Sequence, residues 1–509
     1  MLAQINAAAL YGINGIPIMV EVDVANGLPQ FNLVGLPDTA VREARERVRA
    51  AIKNSNFEFP SRRITVNLAP ADLPKEGPAF DLALAIGVLA ASEVAPLETW
   101  PKAVFLGELS LDGSLRPIPG ILPLISCLQQ KGYGPFFVPV GNAAETSWIQ
   151  GAEVYALENL AQVVEVLRGT REAIPVPDKV FVPNTQSIHS DFKEVRGQDH
   201  AKRALEIAAA GGHNVYLVGP PGSGKTMLAR CMPGILPSLT FSEALELSQI
   251  YSAAGLLNDS CPWVTERPFR APHHSISVAG LVGGGRLPQP GEITLAHLGV
   301  LFLDEFPEFP RSILESLRQP LEDGQLTIAR AQASFTFPTR PLLIAASNPC
   351  KCGWYGDPIH ECTCTPYAVA RYRSRVSGPL LDRLDLHVEV PRVPYADLAA
   401  AETTAEPSAA IRQRVEAARA IQHQRFQSTP TRSNAEMTPA QLQRYCQLGK
   451  EAQALVQAAY TRLGLSARGH SRILKVARTI ADLAGHEQIQ TEHIAEALQY
   501  RALDREIVS

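Results

Sequence analysis

The chain has 509 residues, which is too many for one hydrophobic core, so about two to four domains are expected. Its 46% hydrophobic and 19% charged residues are typical of a soluble globular protein, and a net charge of −4 excludes a global basic field for nucleic acid. The N-terminal stretch has no basic segment followed by an apolar run, which predicts no signal peptide, and no run reaches the ~20 apolar residues of a membrane span. Cysteines that are scattered singly elsewhere in the chain favour the reducing cytoplasm.

The patterns along the chain predict a multidomain α/β protein. Residues 1–168 mix alternating apolar runs with amphipathic runs, which predicts an α/β domain. Residues 169–192 are aperiodic and interrupted by prolines, so they predict a linker. In residues 193–394 strands alternate with helices, as in a parallel sheet with helices on both sides. Residues 395–509 are strand-poor and amphipathic, which predicts a helical lid domain.

A phosphate-binding loop is the strongest single signal. The apolar run VYLV leads into G-x-x-x-x-G-K-[ST], and a helical stretch follows. The glycines let backbone N–H groups turn inward around phosphates, while Lys225 reaches the β- and γ-phosphates and Thr226 ligates Mg²⁺. The pattern predicts ATP and Mg²⁺ as cofactors. The residues of the loop are Gly219, Pro220, Pro221, Gly222, Ser223, Gly224, Lys225 and Thr226.

Two carboxylates and an amide follow later strands. The buried run in LGVLFLDEF ends in Asp304, which suits Mg²⁺ coordination, and Glu305, which suits polarising the attacking water. PLLIAASN places Asn348 at the carboxyl end of another strand, the edge at which open α/β sheets bind ligands. Together with Lys225, these three side chains are predicted to be catalytic.

Three arginines are candidates for the γ-phosphate. Arg383 lies in a polar turn before a strand, and we predict that it is an arginine finger supplied to a neighbouring subunit. The alternative is a local ion pair with Asp382 or Asp385. In the lid, Arg472 is predicted to bind the nucleotide, and Arg468 is its nearest rival. A finger supplied in trans requires a closed ring, and ATP would promote its assembly.

Half of the cysteines fall in the loop NPCKCGWYGDPIHECTCTP. Cys350, Cys352, Cys362 and Cys364 can form a tetrahedral set for a structural Zn²⁺ ion. Reduced thiols in a turn are the alternative, and His360 could replace one sulfur. The loop of residues 350–364 follows Asn348 and leads toward Arg383, so a metal here would hold the loop near a subunit interface.

The order of these motifs resembles the AAA+ ATPases, and the details resemble the Mg-chelatase-like ComM/YifB family. The long interval at about 260–295 resembles the helix-2 insert of that branch, and about 324–340 resembles its hairpin before sensor 1. FNLVGLPDTAVREARERVRAAI resembles a Lon-protease-like (ribosomal S5 domain 2-like) N-domain. The resemblance covers nearly the whole chain. It implies a homo-hexameric, ATP-driven DNA motor that promotes branch migration when incoming DNA recombines in natural transformation.

Peptidase activity is not expected from the Lon-like part. The stretch that resembles the nucleophile segment carries Ala79 where active proteases have serine, and Leu122 stands where they have lysine. Without a hydroxyl and an amine there is no dyad to activate. The N-domain is therefore interpreted as a scaffold or a DNA-contacting collar.

DNA contacts are expected in two loops of a ring pore, largely on the resemblance. Single-stranded and branched DNA are the expected partners, and a recombinase or a loading factor could be a further one. Ordinary solvated loop residues are the alternative for each position. The candidate side chains are Arg330, Arg267, Arg270, His273, His274 and Arg286.

Three other functions compete with the DNA motor. A chelatase-like remodelling subunit would act on a protein or a metal-insertion partner, although chelatase motor subunits lack a Lon-like N-domain. An ATP-dependent protease is opposed by Ala79 and Leu122. A non-catalytic scaffold is opposed by the intact Lys225 and Glu305.

Overall fold

The computed structural model describes residues 1–75, 77–182, 190–258, 260–285, 288–329, 334–394 and 405–501. Its N-terminal part is built on a mixed seven-stranded sheet. In spatial order the strands are Gln30–Val34, Arg63–Ala69, Asn14–Ala25, Leu2–Tyr11, Val104–Phe105, Phe136–Pro139 and Val154–Leu157. The helices are Thr39–Asn54, Asp81–Ala91, Ile121–Gln130, Ala143–Thr146 and Leu160–Leu167.

The middle part contains a five-stranded sheet in which every pairing is parallel, which confirms the predicted parallel α/β core. The strand order is Phe269–Arg270, Val300–Leu303, Leu342–Ser347, Val215–Val218 and Leu386–Glu389. Nearly every side chain of these strands is buried, as expected for a parallel sheet that is covered on both faces. Its carboxyl edge therefore gathers the residues that follow each strand.

Short helices and two hairpins surround this sheet. The helices are Asp199–Gly211, Lys225–Cys231, Phe241–Ala253, Val278–Val282, Glu292–Leu295, Arg311–Ser316, Arg318–Asp323, Pro366–Arg373 and Gly378–Leu381. The hairpins pair Gly283–Gly284 with Gln289–Pro290, and Gln325–Ala329 with Ser334–Pro338. Because Phe269–Arg270 belongs to the central sheet, the excursion that resembles a helix-2 insert starts only after Arg270.

The C-terminal part is helical throughout its described residues. Its helices are Ser408–Phe426, Pro439–Tyr445, Lys450–Leu463, Ala467–Leu483 and Thr491–Gln499. Apolar side chains of this part, such as Val415 and Ile480, share one core with Leu205 of the middle part. Within the described chain, no helix is both long enough and apolar enough to cross a lipid bilayer.

The N-terminal part shares a second apolar cluster with the middle part. Leu122 and Ile125 lie in the same cluster as Leu247, which comes from the helix Phe241–Ala253. Trp148 stacks on Trp263, with ring centroids 5.2 Å apart. These contacts attach the N-terminal sheet firmly to the middle part.

Candidate active site

The phosphate-binding loop forms an open cradle at the carboxyl edge of the parallel sheet. Gly222 and Gly224 have φ angles of 75° and 91°, in the left-handed region that favours glycine, and a Cβ at either would meet nothing within 4 Å. A Cβ at Gly219 would lie 2.1 Å from the Val390 carbonyl oxygen, so a side chain cannot fit there. The helix beginning at Lys225 directs its first N–H groups toward the cradle, which suits the phosphates of ATP.

The two predicted Mg²⁺ ligands lie together. The Thr226 hydroxyl donates to Asp304 Oδ2 at 2.8 Å, and the Glu305 backbone N–H donates to Asp304 Oδ1 at 2.9 Å. A hydroxyl and a carboxylate beside a phosphate cradle are oxygen ligands that fit Mg²⁺. When bound with ATP, the ion would neutralise charge on the β- and γ-phosphates.

Asn348 lies beside the lysine because the sheet register places it there. Ser347 pairs with Val218, so the next residue along each strand meets at the carboxyl edge. Lys225 Nζ lies 3.3 Å from Asn348 Oδ1, and it also donates to the Gly219 carbonyl at 2.7 Å. The structure thus brings Asn348 and the phosphate-binding lysine into one site.

Burial lowers the pKa of the Lys225 ammonium to about 8, and the Asp304 carboxylate opposes that shift. The phosphates of ATP favour the charged amine, so binding will raise this pKa. We therefore expect ATP affinity to fall as pH rises above about 8, with net proton uptake on binding at pH ~8.5. Calorimetry in buffers of different ionisation enthalpy measures that uptake.

The matched control is Lys225→Arg, whose guanidinium stays protonated throughout this range. It should bind ATP, if more weakly, without the proton uptake. The same proton uptake in wild type and Lys225→Arg would contradict the assignment to this lysine.

The four loop cysteines form one compact group. Their sulfurs all lie within 4.8 Å of one another. The Cys350 sulfur is 3.3 Å from that of Cys352 and 3.7 Å from that of Cys362, and the Cys352 and Cys362 sulfurs are 3.5 Å apart. Four thiolates at about 2.3 Å from a Zn²⁺ ion would be separated by about 3.8 Å. A hydrogen bond from the Trp354 backbone lowers the pKa of the Cys352 thiol, whereas desolvation and the neighbouring sulfurs raise the pKa of the Cys362 and Cys364 thiols. The group fits a tetrahedral metal site.

His360 lies outside the group of four sulfurs. Its ring stacks on Trp354 with centroids 4.2 Å apart, and its Nδ1 lies 3.5 Å from Asp357 and 3.4 Å from Arg392. These contacts hold the imidazole outside the sulfur group, and Cys364 completes the set instead.

The cysteine loop contacts the phosphate-binding loop directly. A Cβ at Gly353 would lie 2.7 Å from the Pro221 ring, and Gly353 has a φ of 88°. Arg373 donates to the Pro349 carbonyl at 3.3 Å, and its guanidinium lies 5.0 Å from the centre of the Tyr355 ring. A change in the conformation of the cysteine loop would therefore displace Pro221 in the nucleotide cradle.

The candidate finger, Arg383, lies at the amino-terminal ends of the parallel strands, whereas the phosphate cradle lies at their carboxyl ends. Leu386–Glu389 runs parallel to Val215–Val218, so Arg383 precedes the strands whereas the phosphate cradle follows them. A strand of four residues separates these edges by about 13 Å. Arg383 pairs with Glu322 rather than with Asp382 or Asp385, which corrects that alternative.

The lid arginines lie on this same far side. Arg472 Nε is 3.3 Å from Asp385 Oδ1, and Arg468 Nη2 is 3.3 Å from Glu322 Oε1. Arg472 is therefore not placed at the nucleotide cradle of its own chain.

A buried polar network supports Arg472 and the end of the finger turn. Burial alone would raise the pKa of Asp385, but the His213 hydrogen bond and the charge of Arg472 lower it to about 2. His213 Nε2 lies 2.8 Å from the Thr479 hydroxyl of the lid. The network joins the lid to the middle part.

Two of the six predicted DNA contacts, Arg267 and Arg270, are bonded to other groups of the chain. Arg267, whose side chain is 12% exposed, donates to the carbonyls of Pro237 at 2.6 Å and Leu298 at 2.7 Å. Arg270 makes two hydrogen bonds of 2.6 Å to Glu292. Both guanidiniums stabilise the base of the excursion.

The other four candidates divide into two groups. His273 is exposed, whereas His274 Nδ1 lies 3.1 Å from Glu305 Oε2 and so faces the predicted catalytic carboxylate. Arg286 and Arg330 lie outside the described residues. Sequence reasoning missed two partnerships at this stage, that of His274 with Glu305 and that of Glu322 with Arg383.

Ala79 and Leu122 take part in one apolar environment. Leu122 is fully buried in the cluster shared with the middle part, and Ala79 packs against that cluster. The Leu122 backbone N–H donates to the Ser252 hydroxyl at 3.4 Å, so the ATPase helix Phe241–Ala253 covers this position. The surroundings are those of a packed interface.

Comparison with known proteins identifies the family. Residues 20–142, 191–398 and 405–501 match the families described as Subunit ChlI of Mg-chelatase, Magnesium chelatase subunit ChlI, and Magnesium chelatase subunit ChlI C-terminal. The chain is 44% identical over 508 residues to competence protein ComM of Haemophilus influenzae, covering 99% of this chain and 98% of that protein. It is 44% identical over 509 residues to YifB of Salmonella typhimurium, covering 100% and 98%.

A more distant similarity reaches a DNA replication protein. The chain is 24% identical over 242 residues to DNA replication licensing factor mcm7-B of Xenopus laevis, covering 46% of this chain and 28% of that protein. Together with the parallel sheet and the phosphate cradle, these similarities indicate an AAA+ ATPase that uses ATP and Mg²⁺. The chain belongs to the ComM/YifB family of Mg-chelatase-like proteins.

Proposed function

We propose that the protein is an ATP-driven ring motor that moves along DNA and promotes branch migration when incoming DNA recombines. The ring is supported by one observation: Arg383 is separated from the phosphate cradle of its own chain by the length of the strands. A neighbour that supplies this guanidinium completes the site, and heterologous contacts of this kind close into a ring. Six subunits are inferred from the family.

Similarity to two named relatives and the exposure of His273 support DNA as the substrate. The name of the Haemophilus relative connects it with competence, and the Xenopus relative is named as a DNA replication factor. His273 is exposed on the excursion after Arg270, where a pore loop could follow a phosphate backbone. Arg286 and Arg330, which lie outside the described residues, remain candidates for DNA contacts.

We further infer that the N-terminal part is a Lon-like domain that serves as a collar without peptidase activity. An alanine and a leucine replace the groups of a dyad, and the Leu122 position is covered by the ATPase helix. The cysteine loop is proposed to hold a structural Zn²⁺ ion with four thiolates, which leaves no open position for catalysis.

A chelatase-like remodelling subunit is the second candidate, because the matched families are named after magnesium chelatase. Such a protein would hydrolyse ATP in response to a protein or porphyrin partner. The response of the ATPase rate to different partners therefore separates the two candidates.

The testing experiment measures the ATPase rate with and without single-stranded and forked DNA. We expect several-fold stimulation by DNA in the wild type and loss of nearly all hydrolysis in Lys225→Ala, because the amine that holds the phosphates is gone. A labelled three-strand exchange assay then measures branch migration.

Hydrolysis that is robust but indifferent to every DNA would contradict the motor and favour the remodelling subunit. Lys225→Ala should keep the same oligomeric state at high protein concentration and the same thermal midpoint without nucleotide. Those two measurements separate loss of chemistry from loss of folding.

A further inference from the structure

Tyr216 lies below the nucleotide cradle, in the strand Val215–Val218 that leads into the phosphate-binding loop. Its hydroxyl forms a hydrogen bond with the Ser347 hydroxyl, with 2.7 Å between the two oxygens. Both residues are buried, with exposed fractions of 8% and 1%. A hydroxyl removed from water needs a hydrogen-bond partner, so each of these two groups satisfies the other.

The register of the central sheet brings the two hydroxyls together. Tyr216 pairs with Ala345 of the neighbouring strand, and Ser347 lies two residues further on, so its side chain points to the same face of the sheet. The small Ala345 side chain leaves room for the tyrosine ring to reach toward the carboxyl edge. On the other side Tyr216 pairs with His387, whose ring approaches edge-on with centroids 5.9 Å apart. The backbone pairing therefore sets the direction of the tyrosine side chain.

Apolar packing fixes the ring of Tyr216. Its centroid is 6.2 Å from that of the Phe306 ring, and both side chains belong to a buried cluster on this face of the sheet, together with Leu303 and Leu343. In a densely packed interior the ring cannot turn away without displacing its neighbours. The fold itself therefore presents the hydroxyl to Ser347.

The hydrogen bond acts on the residue directly before Asn348. The Ser347 carbonyl also accepts from the Gly219 N–H at 3.2 Å, so both its main chain and its side chain bind the segment that carries the cradle. Asn348 Oδ1 lies 3.3 Å from Lys225 Nζ. Because Ser347 is bonded on two sides, the backbone from which the Asn348 side chain extends is fixed relative to the phosphate-binding lysine.

We infer that Tyr216 is a positioning residue for ATP hydrolysis, which orients the Asn348 amide at the nucleotide site through its hydrogen bond to Ser347. The inference rests on the proposed catalytic role of Asn348. It concerns hydrolysis without DNA and is therefore independent of what the motor acts on.

The test measures ATP hydrolysis without DNA in Tyr216→Phe, Ser347→Ala and the double variant. Each single variant should lower kcat by about three- to tenfold, less than the ~10²-fold loss that a displacement of about 1 Å can cause. The KM for ATP should stay unchanged, because the cradle and Lys225 keep their contacts with the phosphates. The double variant should be no slower than the slower single variant, because both changes break the same hydrogen bond.

Thermal unfolding separates positioning from a general structural defect. Each single variant leaves one buried hydroxyl without its partner and should unfold at a lower temperature than the wild type, whereas the double variant removes both hydroxyls and should recover most of that midpoint. The kcat should not recover with it, because the bond between the two strands is still absent. A kcat that recovers together with the midpoint would overturn the inference, and so would a raised KM with an unchanged kcat.

Asn348→Ala tests whether the tyrosine acts through the amide. This variant should be slow, and adding Tyr216→Phe to it should lower kcat no further. A further three- to tenfold loss would overturn the inference. A wild-type rate in Asn348→Ala would contradict the proposed catalytic role of Asn348 itself, whereas a slow Asn348→Ala beside a normal Tyr216→Phe would overturn only the positioning by the tyrosine.

Tyr155→Phe is the matched control. Tyr155 is 6% exposed, and its hydroxyl donates to Glu153 in the N-terminal sheet, away from the cradle. The variant loses one buried hydroxyl of the same kind and should hydrolyse ATP at the wild-type rate. An equal loss of kcat in Tyr155→Phe and Tyr216→Phe would overturn the assignment to the strand beside Asn348.

Discussion

Arg383→Ala is expected to lower the ATPase rate by about 10³-fold or more, the usual effect of removing an arginine finger. The side chain lies at the sheet edge opposite the phosphate cradle, so its loss should leave nucleotide binding by its own chain intact. Steady-state hydrolysis and the binding of a fluorescent ATP analogue, measured on the same preparation, separate these effects.

Mixing two inactive variants gives the sharpest form of this test. In a ring assembled from equal amounts of Arg383→Ala and Lys225→Ala, about a quarter of the interfaces combine an intact cradle with an intact finger. Hydrolysis should therefore reappear in the mixture. Two inactive variants that remain inactive in co-assembled rings would contradict a finger supplied in trans.

Arg468→Ala is the matched control, because Arg468 shares Glu322 with Arg383. The Arg468 side chain is 60% exposed, whereas that of Arg383 is 10% exposed. Exposed ion pairs contribute little to stability. We expect Arg468→Ala to lose much less hydrolysis than Arg383→Ala, so an equal loss in both variants would point to disruption around Glu322 or to nucleotide binding by Arg468.

The nucleotide site could be predicted from sequence because its residues directly follow apolar strands. Parallel strands bring their carboxyl ends to one edge, so Asp304 and Asn348 must approach the cradle although they are distant in the chain. Motif order therefore carried spatial information. The same reasoning predicted the sheet itself, since buried runs of four to six residues alternate with helices.

The loop arginines could not be predicted in the same way. Arg267 is held by the carbonyl groups of Pro237 and Leu298, and backbone acceptors leave no trace in a sequence. Arg383 pairs with Glu322 rather than with the two acids beside it, because folding brings a distant helix closer than the local turn does. Charge and motif position alone therefore did not predict the intrachain partners of these side chains.

The contact between His274 and Glu305 was missed for a different reason. Phe269–Arg270 is a strand of two residues, which is too short to show alternation or a buried run. Only the observed pairing fixes its offset from Val300–Leu303. Once that strand is known, the histidine follows by counting, whereas sequence alone suggested a solvated loop or a phosphate contact.

Replacing two of the four loop cysteines is expected to remove the bound Zn²⁺ ion and to weaken ATP binding. The wild type should contain about one Zn²⁺ ion per chain, and Cys350→Ser with Cys352→Ser should contain almost none, because two thiolates cannot hold a structural site. Metal analysis after exhaustive dialysis measures this directly. The bare loop should also lose its fixed approach to Pro221, so ATP affinity and ring assembly should fall together.

Cys261→Ser is the control for thiol loss, because this exposed cysteine lies outside the compact group. It should retain metal, assembly and hydrolysis. On adding a chelator we expect the metal to leave first and ATP affinity to drop afterwards, because Gly353 lies against the cradle while Arg383 lies at the far end of the strands. Normal metal content, assembly and hydrolysis in the double serine variant would contradict the proposed Zn²⁺ site.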